Sequence, residues 1–471
     1  MDQIATAEGI TRQLARFAVD TNYDDLPTEV ITASKRSFLD TVGVMLGGCS
    51  EPAPQILAQY ARRACGTGPA SVIGQGFRTS APLAAVVNGT AADVFGFSDI
   101  VVPNMNHPSG AICAALIALG EELKNPGKAL IAAHVIGVEI ADKIGVGVKP
   151  GLQLKGWHPL AVLNTFGAAV ACGKLLDLDA EKMACALGIA GIMTGGIRAG
   201  MGTMSKALGA GRSARDGLEA ALLASMGYTG PANVIEARDG FLQTFGDGVS
   251  GEGILEALGN PYEFIEPGMT YKAYPTCTRS HPGITAALRM RQQHAIAPAE
   301  VDCIVCSVTP AVADYLKFGV AKTKLEAKYS LPFCVALALL QDEVTLANVT
   351  DETVVDPRVV ELMKKVTMVI SPEFAKDGYI PDYAPHGCII EIWMKSGEYY
   401  RDQQNRGPWE PTTPPSWSDL MVKFRGCASM ILDPKSIEAT ADLLHDLEKL
   451  PNISCLTDLV RDPKPEQRKA G

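Results

Sequence analysis

Residues 82–95, 111–123, 127–144, 160–175, 180–192 and 213–226 are apolar runs with helical spacing, rich in Gly and Ala. Small residues permit close helix–helix approach, so this part of the chain can only fold as a packed helical body. Runs at 10–19, 27–48 and 55–64 add three more helices, with a short strand or extended link at 70–74. Aromatic residues make up only 6% of the chain, so the core must be filled by Ala, Leu, Ile, Val and Met. No repeat of solenoid length is present.

The character changes after about Met269. Residues 301–308, 366–370 and 388–394 read as strands, 329–340 and 357–365 as helices. Ser396-Gly397-Glu398 is a hairpin turn leading into Tyr399-Tyr400, and 407–415 is a proline-rich crossover. Helices return at 416–424 and 434–450, and the charged tail beyond Val460 is expected to fray. The expected fold is mainly α with an α+β domain. A large all-helical domain is built from both chain ends, 1–268 and 408–471, with an α+β lid domain, 269–407, inserted between them.

A net charge of -10 argues against nucleic acid or an anionic membrane as partner. Met1-Asp2-Gln3-Ile4-Ala5 lacks the basic and apolar sections of a signal peptide. The most apolar span, 129–148, is interrupted by His134, Glu139, Asp142 and Lys143, which excludes a membrane helix. Glu139 and Asp142 read as a solvent-facing pair on that helix. The twelve cysteines form no framework, and Cys303 and Cys306 fall on opposite faces of a strand. A reducing cytoplasm is the expected compartment.

Three of the seven histidines, His107, His158 and His281, directly precede a proline and an apolar run. Proline is tolerated at the first helical position, which places each histidine at a helix start. A neutral imidazole there meets the positive end of the helix dipole, a setting suited to a general base. A local cap explains any one of them; three together point to a site. Gly200-Met201-Gly202-Thr203-Met204-Ser205-Lys206 and the following glycines to Arg212 read as an irregular segment before a helix, where backbone N–H groups and the ammonium bind an anion. Lys272, Arg279 and His281 lie close together at the domain boundary, where ligand sites commonly form. No H-x-x-x-H, H-E-x-x-H or paired-cysteine motif suggests a metal, and no G-x-G-x-x-G follows a strand.

His107-Pro108-Ser109-Gly110, Gly156-Trp157-His158-Pro159, Gly202-Thr203-Met204-Ser205-Lys206 and Lys272-Ala273-Tyr274-Pro275-Thr276-Cys277 resemble, in order and spacing, motifs of the MmgE/PrpD family. So do Tyr329-Ser330-Leu331-Pro332-Phe333 and Val422-Lys423-Phe424-Arg425, and the likeness runs from about Ala7 to Leu450. That family includes 2-methylcitrate dehydratase, cis-aconitate decarboxylase and iminodisuccinate epimerase. The resemblance implies a homodimer with no cofactor and a site between the domains. It makes His107, His158, Lys206 and Lys272 site residues; with Asp99 these are the catalytic candidates, and Arg279, His281, Cys277, Arg212 and Tyr329 are expected to bind substrate. Cys277 stands where some members place a histidine. The first acid of the family's tyrosine-aspartate-aspartate signature is Gly96 here, leaving Asp99, and the histidine three residues after the lysine is Gly209. Both changes remove proton-handling groups and are expected to enlarge the pocket around Lys206.

The expected activity is that of a lyase on a small di- or tricarboxylic acid through an enolate-like intermediate, with decarboxylation favoured over dehydration. An epimerase or isomerase of a small dicarboxylate is the alternative, and a non-catalytic carboxylate-binding protein on the same scaffold is the third reading. In each, lysines neutralise carboxylates and developing charge.

Overall fold

Helices rich in Gly and Ala can bring their backbones together, and two glycines show how closely. A Cβ on Gly167 would lie 2.7 Å from the carbonyl oxygen of Gly137, and one on Gly137 would lie 2.8 Å from that of Gly167. The helices Gly127–Val146 and Pro159–Leu175 therefore touch main chain to main chain. The computed structural model describes residues 9–149, 151–246, 251, 253–375 and 386–462. The N-terminal pentapeptide and residues 463–471 of the charged tail lie outside the described residues.

The helices Ala81–Asp93, Pro108–Leu123, Gly127–Val146, Pro159–Leu175 and Met204–Ser225 pack against one another at the centre of the helical body. The Thr28–Gly48 helix covers them from one side and is itself covered by Trp417–Ala428, whose Phe424 lies against Gly43. Residues from both chain ends thus share one apolar core. The second core belongs to a four-stranded sheet and its helices. Val301–Val308 pairs parallel with Val366–Ile370 and antiparallel with Cys388–Met394, which pairs antiparallel with Tyr399–Gln404. Cys388–Met394 is buried over most of its length, and Tyr399–Gln404 alternates exposed and half-buried residues, as an edge strand with one wet face should. The helices His281–His294 and Leu331–Leu340 bury their apolar faces with the sheet residues. The fold is mainly α with an α+β portion.

Two expectations need correction. Gly200 and Gly202 are irregular as expected, but Gly209 and Gly211 are not: the helix starts at Met204, nine residues earlier than expected, with the Thr203 hydroxyl accepting from the Ser205 N–H. Gly211 sits inside it because a Cβ there would come within 2.3 Å of the Val86 carbonyl oxygen on the neighbouring helix. Close packing, not a turn, explains those glycines. Glu139 and Asp142 are not on a wet face either. Both are buried, Glu139 accepting from the N–H groups of Gly259 and Glu263, and Asp142 from the side-chain amides of Asn104 and Asn106.

Candidate active site

Three helix starts open on one cavity in the seam between the two bodies. His107 caps Pro108–Leu123 and His158 caps Pro159–Leu175, each with proline at the first helical position. Lys206 lies in the first turn of Met204–Ser225. The unpaired N–H groups and dipoles of such starts favour an anion. Lys272, Cys277, Lys328 and Tyr329 approach from the segments leading into the α+β body, and Gly96, Met105 and Met201 complete the wall. The cavity is narrow, with about 30 Å³ open to the centres of water-sized molecules. A larger, open groove bounded by residues 27–36 and 411–414 lacks any such convergence of lysine and histidine.

The segment 93–97, where Ala81–Asp93 ends, is the floor on which the cations are set. Lys206 Nζ lies 2.6 Å from Asp93 Oδ1. Lys272 Nζ donates to the Gly96 carbonyl at 2.6 Å, Lys328 Nζ to that of Val94 at 3.0 Å and Lys423 Nζ to that of Phe97 at 2.7 Å. Carbonyls left over at a helix C-terminus carry partial negative charge, so they attract ammonium groups. Burial works to lower the Lys206 pKa, but the Asp93 carboxylate outweighs it and raises it above the ordinary lysine value. Burial pushes Asp93 up as well; with an ammonium at 2.6 Å the ion pair is the state we assign. Among the described residues Lys272 has no carboxylate within ion-pair distance, and burial, helped by the Lys206 charge, brings it down to about 7.

His107 Nδ1 lies 2.7 Å from the carbonyl oxygen of Asp99. A carbonyl can only accept, so Nδ1 carries the proton and Nε2 is left as an acceptor. Burial and then the charges of Lys272 and Lys206 hold this imidazole well below the usual histidine pKa. His158 is pushed down to about 3 by burial, with Lys206 and Arg198 adding to it. Both rings are neutral at physiological pH.

Of the ten residues singled out from sequence, His107, His158, Lys206, Lys272, Cys277 and Tyr329 line the cavity together. Four do not reach it. The Asp99 carboxyl accepts from the Ser109 hydroxyl away from the cavity, and only its main-chain carbonyl serves the site, through His107. His281 is inside its helix, with Nε2 bonded to the Tyr274 carbonyl. Arg212 pairs with Asp216 one turn along its own helix. Arg279 donates to the Ala311 carbonyl and lies 3.8 Å from the ring centre of Tyr315, whose ring also receives Arg198 at 4.1 Å. Tyr315 lines the cavity, so this pair of guanidinium groups steadies its wall. Gly96 lines the cavity with open space where a side chain would begin, whereas Gly209 does not line it; a Cβ there would lie 3.7 Å from His158 Nδ1.

Sequence reasoning missed Asp93, Lys328 and Tyr315. Asp93 sits in an ordinary apolar helix, and its partner Lys206 is distant in sequence. Lys328 directly precedes Tyr329, which was the available signal. Among the described residues, no three of His, Cys, Asp and Glu are grouped as a metal site requires. No helix among them is long and apolar enough to cross a membrane.

Comparison with known proteins matches two family profiles over most of the chain. The profile of the MmgE/PrpD N-terminal domain matches residues 12–252, and that of the MmgE/PrpD C-terminal domain matches residues 274–449. The chain is 29% identical to the cis-aconitate decarboxylase of Homo sapiens, over 98% of this chain and 96% of that protein. It is also 29% identical to the Mus musculus cis-aconitate decarboxylase, over 97% and 94% respectively. The Aspergillus terreus cis-aconitate decarboxylase is 25% identical over 97% of this chain and 96% of its own.

Proposed function

The chain belongs to the MmgE/PrpD family, and we propose that it is a carbon–carbon lyase that decarboxylates a small polycarboxylic acid of the cis-aconitate type. The observation that carries this reading is the convergence of Lys206, Lys272, His107 and His158 in one cavity at three helix starts. In a β,γ-unsaturated acid the bond to the departing carboxylate breaks and its electron pair becomes a new double bond. The existing double bond then shifts its pair onto the carbon next to a remaining carboxylate, giving an enolate-like anion. One proton on that carbon yields a 2-methylene dicarboxylate and carbon dioxide. Lys206, kept charged by Asp93, is placed to hold a remaining carboxylate and the negative charge that develops on it.

The proton comes most readily from Lys272. Its ammonium gives up a proton near neutrality, which matches a general acid to physiological pH. His107 presents an unprotonated Nε2 and cannot donate through it, so it orients substrate or accepts a proton. His158 stands beside Lys206 as the second neutral imidazole of the wall. A dehydratase would need, besides a base, an acid for a leaving hydroxyl; no carboxyl serves, since Asp99 turns its carboxyl away and Asp93 is engaged by Lys206, which leaves Lys272 for that role too. The epimerase reading needs only His107 as acceptor and a donor on the opposite face, so it stays as the second candidate. A homodimer in the cytoplasm completes the proposal.

One experiment separates these readings. With cis-aconitate in deuterated water, we expect carbon dioxide release and one deuterium in the product. Deuterium washed into recovered dicarboxylate substrate would instead identify an epimerase. Binding of cis-aconitate with neither outcome would leave the non-catalytic reading standing.

A further inference from the structure

We propose that Lys328 is a substrate-binding residue that, with Lys272, engages two carboxylates of a polycarboxylate at once; this rests on the reading above that the cavity takes such an acid. Four lysines are buried among the described residues: Lys143, Lys272, Lys328 and Lys423. Lys143 lies 2.9 Å from Glu263, and Lys423 lies 2.6 Å from Asp40. Lys272 and Lys328, 2% and 4% exposed, have no carboxylate within ion-pair distance, and both line the cavity. The carboxylate whose charge acts most on Lys328, Glu51, is already engaged by Lys324 at 2.7 Å. Burying an ammonium without a counter-charge is expensive, and proteins retain such groups where an anion arrives to pair with them.

Capping the end of the Ala81–Asp93 helix does not by itself explain Lys328. The Val94 carbonyl takes one of its three N–H donors, and a neutral donor would serve that purpose without the cost of burying charge. The charge counts point the same way. The cavity wall holds Lys206, Lys272 and Lys328, and among the described residues the one carboxylate paired with any of them is Asp93 on Lys206. Two positive charges are therefore left for the ligand. Their anchor carbonyls, on Val94 and Gly96, are two residues apart, a span of at most about 7 Å. Carboxylates of a four- to six-carbon polyacid fit that span. Since Lys272 and Lys328 both reach from the α+β side to the 93–97 segment, an anion between them also ties the two bodies together.

The test is a ladder of unreactive acids, propane-1,2,3-tricarboxylate, succinate and butyrate, read by calorimetry. On the unaltered protein we expect affinity to fall at least about tenfold at each loss of a carboxylate. Lys328→Gln keeps a donor for Val94 but loses the charge. It should weaken the tricarboxylate at least about tenfold while changing butyrate less than about twofold, and Lys328→Arg should restore most of the loss. A folded Lys328→Gln with unchanged tricarboxylate affinity, or equal losses for all three acids, overturns the assignment. If that variant does not fold, the ladder of the unaltered protein decides, and a flat ladder overturns it. Binding is read without turnover, so the outcomes stay separate. Tight tricarboxylate binding through Lys328 with no carbon dioxide from cis-aconitate retires only the decarboxylase reading. Turnover with an unchanged KM in Lys328→Gln retires only this assignment.

Discussion

The chemistry at residue scale turns on how each cation is compensated. Lys206 has Asp93 and stays charged, whereas Lys272 has only a carbonyl and is poised near neutrality. The consequence for stability has a definite sign. Lys272 titrates at about 7 when folded and at its ordinary 10.5 when unfolded, so between those values the unfolded chain holds a proton that the folded one lacks. Stability therefore rises with pH across that window, and the full cost of burying the charge is borne below about 7. Lys206, Asp93, Cys277 and Lys423 face the same group and set its value, with Lys206 pushing hardest after burial. We expect the unliganded protein to gain stability, on the order of a few kcal/mol, between pH 7 and 9, and Lys272→Met to lose the larger part of that slope, the remainder coming from Lys328, which burial brings down to about 8. Urea denaturation at the two pH values measures it; an unchanged slope in the variant would show that Lys272 is not the group responsible. The kcat/KM for a polycarboxylate should move oppositely, falling above about pH 7 as the ammonium that binds and protonates is lost.

Among elements, the helix starts were legible in the sequence and the cation floor was not. Proline after histidine fixes the first helical position locally, so His107 and His158 could be placed at caps from a few residues. The same reasoning put His281 one residue outside its helix and into the site; both were off, because Ser280 is the residue before the helix and Tyr274 takes the ring. The glycines near Lys206 looked like a loop because sequence shows small residues but not what they pack on. Lys328 and Asp93 gain meaning only when distant segments meet at 93–97, which no local pattern encodes. The loop that delivers His107 is another such meeting. Asp142 accepts from Asn104 at 3.0 Å and from Asn106 at 3.2 Å, fixing residues 104–106 on the Gly127–Val146 helix. Burial, followed by the charge of Glu263, holds Asp142 well above the usual carboxylate range, so a neutral side chain is tolerated there. Asp142→Asn should keep kcat within a few-fold. Asp142→Ala orphans the buried Asn106 amide, while Asn104 keeps its bond to the main-chain carbonyl of residue 142; it should cost about 1–3 kcal/mol and lower kcat through a displaced His107. Equal kcat in both folded variants would mean that the loop is held by other contacts.

On the scale of the whole molecule, the helical body satisfies its core internally yet leaves large apolar side chains outside. Leu154, Ile192 and Met226 are 78%, 76% and 79% exposed, and Ile197 and Tyr228 are also more than half exposed. Single exposed apolar residues are normal on a protein surface; these five come from residues 154–228, while Ile56, Tyr60, Val355, Ile370 and Val422 are likewise more than half exposed elsewhere. A second copy of the chain is the partner that would cover such a surface in a homodimer, as most soluble oligomers are symmetric. Sedimentation at micromolar concentration should give about twice the 49.8 kDa of one chain. A lysine at an exposed position costs the single chain little, usually within about 0.5 kcal/mol, but a charge desolvated in an apolar interface is opposed strongly. Ile192→Lys with Met226→Lys should therefore shift the sedimenting species toward one chain mass while far-ultraviolet circular dichroism stays unchanged. The melting temperature of the unaltered protein should rise with its concentration, because association stabilises the folded state by mass action, and that dependence should vanish in the double variant. A fully active species of one chain mass at micromolar concentration would defeat the dimer. A double variant that still sediments at twice the chain mass would place the interface elsewhere on the body.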